Sequence, residues 1–167
     1  MVKLNIANYS EGSLVESRTV IPAEINLSEF EEFAAPIELV FNINKIGSEI
    51  YVRAQISAIA KLVCDRCLED YEWPLQEAID IVCTADPGLA KNDEDDVYFI
   101  TDAMKEVDIT ESIRQSLIIA LPQKKICQNN CKGLCPQCGT NLNLASCQCK
   151  TEKTDPRWDA LNKIKFN

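Results

Sequence analysis

Six of the chain's nine cysteines fall between Cys127 and Cys149, in a sequence of 167 residues that contains no histidine. Without imidazole, a soft-metal site here has to be built from thiolates alone. In Cys135-Pro136-Gln137-Cys138-Gly139, two thiolates two residues apart can face one ion, the turn between them aims backbone N–H groups at sulfur, and Gly139 permits a tight exit. Cys147-Gln148-Cys149, eight residues further on, supplies two more sulfurs. Together they make a tetrahedral set with Zn–S distances of about 2.3 Å. A closed set leaves no position for water, so zinc there shapes the chain and activates no nucleophile.

The remaining cysteines suggest a second set. Cys64-x2-Cys67 stands at the end of an alternating strand, and Cys127-x3-Cys131 lies just past a helix. If strand end and helix end meet, these four hold a second ion; a competing partition, with Cys127 or Cys131 replacing Cys147 or Cys149, is also open on spacing alone. Cys83 is the odd one, on an apolar strand face that suits a buried thiol. A redox role for Cys64-Asp65-Arg66-Cys67 is the competing reading, since arginine lowers a neighbouring thiol's pKa. Thioredoxin-type pairs open a helix, however, whereas this one follows a strand. Between residues 122 and 150 only Ile126, Leu134, Leu142 and Leu144 are sizeable apolar groups, too few to offset the ordering entropy, so metal is expected to fold this tail.

Before the tail, hydrophobic periodicity is that of strands. Val2 to Ala7 alternates, a second strand is expected between Leu14 and Ile25, and Ser28 is placed to cap one helical turn over 27–33. Ile37, Leu39, Phe41 and Ile43 alternate, Asn44 to Ser48 offers turn chemistry, and Ile50 to Leu62 alternates over thirteen positions. Tyr71 to Cys83 returns, with Pro74 marking an edge or bulge. Val97 to Ile100 is a short strand. Asp108 with Glu111 forms a capping box for a helix over 108–121, and Pro122 stops it. The fold class is α+β: a mainly antiparallel sheet or partly open barrel with one packed helix, then a zinc-stapled tail. Residues 1–121 form the first domain and 122–167 the second, ending in a short helix over 156–166 behind Asp155-Pro156.

Charge divides the same way. Residues 1–120 carry nine Lys and Arg against 23 Asp and Glu, whereas residues 121–167 carry eight against three. The acidic body repels a nucleic-acid backbone and the basic tail does not. Lys124, Lys125, Lys132, Lys150, Lys153, Arg157, Lys163 and Lys165 are the candidate RNA or partner contacts, with Trp158 and Leu161 as candidate apolar anchors. Scattered glycines exclude a phosphate-cradling loop, and the absence of histidine removes most hydrolytic triads, so no enzyme is expected. No export signal or membrane-length apolar run is present, which fits a reducing cytoplasm and no membrane partner.

Val63-Cys64-Asp65-Arg66-Cys67-Leu68, the helix from Asp108-Ile109 to Leu121-Pro122, and Cys131-Lys132-Gly133-Leu134-Cys135-Pro136-Gln137-Cys138-Gly139-Thr140-Asn141-Leu142-Asn143 follow one another in order. Cys147-Gln148-Cys149 and Asp155-Pro156-Arg157-Trp158-Asp159-Ala160-Leu161 close the series. This order resembles the YceD family, large ribosomal RNA subunit accumulation proteins. The resemblance implies a non-enzymatic factor supporting accumulation or maturation of large-subunit ribosomal RNA, with rRNA or an assembly intermediate as partner and no small-molecule substrate. A protein-interaction adaptor for an RNA-processing enzyme is the alternative.

Overall fold

The computed structural model describes residues 1–89, 96–101 and 103–149. Among these residues seven strands and one α-helix follow in chain order: β1 (Lys3–Leu4), β2 (Gly12–Val20), β3 (Ile37–Ile46), β4 (Glu49–Val63), β5 (Asp70–Thr84), β6 (Val97–Phe99), β7 (Val107–Asp108) and α1 (Thr110–Ala120). β2 to β6 form one open sheet in sequence order, and β1 pairs with β7 in a second, two-stranded sheet. The α+β expectation holds as an open sheet and not as a barrel.

The alternation in β3 and β4 does what period two requires. Ile50, Val52, Ala54, Ile56, Ala58, Ala60 and Leu62 are all buried on one face, and Ile37, Leu39, Phe41 and Ile43 lie beside them. The turn between these strands is only Gly47-Ser48, because Ile46 already pairs with Glu49. Gly47 takes φ +59°, the positive φ that the first position of a two-residue hairpin turn of this kind demands. α1 lies on the core face against β5, with Ile109, Ile113 and Leu117 fully buried. Burial of each such side chain contributes about 1.5–3 kcal/mol.

Several local expectations give way to tertiary contacts. The first strand is cut to Lys3–Leu4, because Ile6–Asn8 turns into a 3-10 helix that buries Ile6. The second begins two residues early and ends at Val20, where Pro22–Ile25 starts another 3-10 segment. No helical turn forms over 27–33; Phe30 N–H to Leu27 O and Phe33 N–H to Phe30 O close separate turns. The helix is two residues shorter at its start than expected. Asp108 accepts from Thr110 N–H at 3.0 Å, while Glu111 turns along the helix to Arg114 and Gln115 instead of completing a box. Val97–Phe99 joins β5 in parallel, the one parallel pair in the five-stranded sheet. Pro74 sits on the expected edge: β5 pairs with β4 throughout its length, and β6 covers only Val82 to Thr84.

β4 outruns β3, whose pairing stops at Ser57, and so projects with the start of β5 as a two-stranded arm. The turns after Leu27 brace it, with Lys61 N–H bonded to Glu32 O at 2.8 Å. Cys64 to Cys67 lie at the tip of this arm. Cys83 is fully buried, and burial pushes its thiol up to about 11, as befits an inert core group. Among the described residues no helix is long and apolar enough to cross a membrane.

Candidate metal centres

Each C-x2-C pair sits in the same hydrogen-bonded turn. In the first, Leu68 N–H donates to Cys64 O at 2.9 Å and Cys64 N–H to Glu69 O at 2.9 Å; in the second, Gly139 N–H donates to Cys135 O at 2.9 Å and Cys135 N–H to Thr140 O at 2.8 Å. The residue after the second cysteine has positive φ in both, 59° at Leu68 and 72° at Gly139. This repeated geometry throws both sulfurs of a pair to one side. Glycine at 139 announces the conformation; leucine at 68 hides it, since a branched side chain rarely takes positive φ.

The first set is completed by Cys127 and Cys131. The four sulfurs of Cys64, Cys67, Cys127 and Cys131 lie within 4.8 Å of one another, as do those of Cys135, Cys138, Cys147 and Cys149. Four sulfurs about 2.3 Å from a central ion stand about 3.8 Å apart along the tetrahedron's edges. The separation is 3.9 Å for Cys64 and Cys131 and 3.7 Å for Cys67 and Cys127. Disulfides need about 2.05 Å, and all nine cysteines are free thiols. Donor type, number and spacing therefore fit a tetrathiolate metal ion in each set, and the partition is the one in which neither set borrows from the other. The two sets differ in burial. Cys64, Cys67 and Cys131 are buried with Ile126 and Tyr71 packed on them, whereas Cys138 and Cys149 are exposed.

Without a cation the sulfurs conflict. Burial raises Cys64, but the N–H groups of Cys127, Cys67 and Arg66 aimed at its sulfur outweigh that and bring it down to about 6. Cys131 is likewise lowered against burial, by the Asn143 amide and Gly133 N–H. Cys127 is then pushed up to about 12, by burial and by Cys64, Cys67 and Cys131 around it. In the second set the Thr140 hydroxyl and N–H, then Cys135, lower Cys138 to about 6, while Cys138, burial and Cys135 raise Cys149 to about 12. The sulfurs with the stronger set of hydrogen-bond donors, N–H or hydroxyl, carry negative charge more readily, and that charge raises the thiols beside them. A divalent cation at the centre removes the conflict and lets all four ionise.

The first set joins chain from both sides of Leu121. Asp65 clamps the tail, its N–H donating to Lys125 O at 2.7 Å and its carboxylate accepting from Lys125 N–H at 2.8 Å. Arg66 donates to Cys131 O at 3.0 Å and its own carbonyl accepts from Leu134 N–H at 2.9 Å. The Thr140-Asn141-Leu142-Asn143 run, to which sequence reading attached no role, couples the sets. Asn143 donates to the Cys131 sulfur at 3.3 Å and to Asn141 at 2.9 Å, and Asn141 donates to Glu69 at 3.1 Å. Such outer partners orient ligand sulfurs. The Asn141-Leu142-Asn143 run directly after Cys-x2-Cys-Gly-Thr was the available signal.

Of the candidate contacts, Lys124 and Lys132 are exposed. Lys125 is engaged with Glu32 at 2.9 Å, which holds that carboxyl below its ordinary value. Lys150, Lys153, Arg157, Trp158, Leu161, Lys163 and Lys165, with the expected helix over 156–166, lie outside the described residues. Cys64 to Cys67 join two strands, and no helix begins there as it does in thioredoxin-type pairs.

Fold and sites together define an α+β protein whose cysteine-rich tail is fastened to a sheet arm through one four-sulfur cluster and carries a second within itself, each able to hold a metal ion. The chain belongs to the YceD family: the family model described as large ribosomal RNA subunit accumulation protein YceD matches residues 52–165, as the motif order suggested. An Arabidopsis thaliana protein named large ribosomal RNA subunit accumulation protein YCED homolog 1, chloroplastic, is 24% identical over 156 residues, 78% of this chain and 49% of that protein. Its Zea mays namesake is 41% identical over 71 residues, 42% of this chain and 24% of that protein. An uncharacterised Mycobacterium leprae protein is 27% identical over 132 residues, covering 78% of this chain and 59% of its own length. This chain thus spans about half to three fifths of the Arabidopsis and mycobacterial relatives, 49% and 59%. No solved structure matches it.

Proposed function

We propose that this protein is a non-enzymatic factor supporting the accumulation or maturation of large-subunit ribosomal RNA in the cytoplasm, with two structural zinc ions. The observation that carries the reading is the pair of closed four-sulfur sets in a chain of this family. Four thiolates around one ion leave no open position for substrate, so the metal's work is to fold and dock the tail. Soft, redox-inert and tetrahedral, zinc suits such donors. The docked tail offers Lys124 and Lys132 at the surface, and with Lys150, Lys153, Arg157, Lys163 and Lys165 it supplies the cationic contacts to rRNA or an assembly intermediate.

Depletion tests the reading. Large-subunit rRNA is expected to fall relative to small-subunit rRNA and to recover with the intact chain. Reversal of Lys124 and Lys132 to glutamate is expected to weaken RNA crosslinking and its salt dependence while metal content stays unchanged. An unaltered rRNA ratio on depletion contradicts the function. Unaltered crosslinking after reversal contradicts direct RNA contact at these lysines, and a protein companion that survives nuclease then points to an adaptor.

A further inference from the structure

We propose that β2 is a homodimer interface, pairing antiparallel with β2 of a second copy to continue the sheet across a two-fold axis. Among the described residues β2 is hydrogen-bonded on one side only, to β3, through nine residue pairs from Gly12 to Val20. Its other edge leaves a row of backbone N–H and C=O groups unpaired by the sheet, the kind of template that extended edges present to a second strand. Of its residues only Val20 is buried; Leu14 is 45% exposed and Val15 63%.

The two borders of the sheet are guarded differently. On β5, the stretch before Val82 has no outer neighbour strand among the described residues, and it carries Pro74, which has no N–H, and Glu77 on the core face opposite Ile56. Both features deter strand addition. β2 has neither proline nor lysine from Gly12 to Val20. Its core-face residues are Leu14, Glu16, Arg18 and Val20, opposite Ile43, Phe41, Leu39 and Ile37 of β3. Glu16 has only a long contact with Tyr9 at 3.4 Å, and Arg18 makes no salt bridge among the described residues.

Those four residues read the same way in reverse. With Ser17 on the two-fold axis, Glu16 faces Arg18 of the second copy, Arg18 faces its Glu16, Leu14 faces its Val20 and Val20 its Leu14. On the outer face Val15 meets Thr19. Every residue from Leu14 to Val20 finds a partner within the strand, and both ion pairs form by symmetry. Moving the axis to Glu16 or to Arg18 puts like charges face to face. A single register is therefore favoured, in which charges that deter a foreign strand attract a second copy.

Sedimentation of the full chain, purified under reductant, tests this across a concentration series. Twice the chain mass is expected, with association weakened roughly tenfold or more by Glu16→Arg or Arg18→Glu, since each reversal creates two like-charge contacts per dimer. The double variant Glu16→Arg with Arg18→Glu restores opposite charges and is expected to restore the dimer. Circular dichroism confirms that each variant is folded. A monomer at all concentrations, a dimer indifferent to both single reversals, failure of the double variant to re-associate, or growth beyond two copies overturns the proposal.

Discussion

Gly133 lies between ligands of different sets, Cys131 and Cys135, and packs directly on the turn that carries Cys64 and Cys67. It has φ +74°, and a Cβ added there would stand 3.0 Å from the Arg66 carbonyl oxygen, which already accepts Leu134 N–H. Gly139 has nearly the same φ, +72°, but a Cβ there meets nothing within 4 Å. Substitution by alanine costs about 1–2 kcal/mol for backbone conformation at either position. At Gly133 the forced backbone contact adds about 1–3 kcal/mol. Gly133→Ala should therefore cost about 2–5 kcal/mol and Gly139→Ala about 1–2 kcal/mol. The excess corresponds to a factor of roughly 5 to 150 in affinity for the ion shared by Cys64, Cys67, Cys127 and Cys131. Competition with a chromogenic chelator, followed alongside thermal melting, measures both variants. Equal losses would refute the claim that the tail is pressed against the sheet arm at this carbonyl.

Cys127→Ser should lower metal content by one ion and release the tail from the body, seen as new protease cleavage after Leu121; Cys138→Ser should also remove one ion but leave that junction protected. Leu68→Gly should be neutral or stabilising by up to about 1 kcal/mol in thermal melts, because glycine holds positive φ without strain. The Glu32 carboxyl is held below its ordinary 4.5, first by the hydrogen bond from Lys125. A carboxyl with a depressed folded-state pKa adds stability above its ordinary value and loses it as pH falls through the depressed one. Glu32→Gln should thus cost about 0.5–1 kcal/mol at neutral pH, and chemical denaturation along a pH series should show that difference shrinking as pH falls below 4.5 and lost once pH has passed through the depressed value.

What could be read from the residues follows from how local the cause is. Period-two alternation between Ile37 and Leu62 states which face is buried, so the central hairpin needs no tertiary information. The cysteine sets were legible because C-x2-C spacing carries its own geometry, but their partition depended on the tail reaching the tip of the β4–β5 arm. That approach is made by Asp65, Arg66 and Gly133, which no periodicity marks. Leu68 concealed the likeness of the two turns, and Asn141 and Asn143 act through side-chain bonds to Glu69 and Cys131 that only the folded chain assembles. The first strand failed for a related reason: alternation continues through Ile6, but burying it in the core bends the backbone into a 3-10 turn.

Metal analysis of the reduced, freshly purified chain tests the central claim most directly, with total metal measured by mass spectrometry and sulfur coordination by X-ray absorption. Two zinc ions per chain, each with four sulfurs at about 2.3 Å, are expected. A chain free of metal, with nine titratable thiols and a tail still protected from protease, would contradict it.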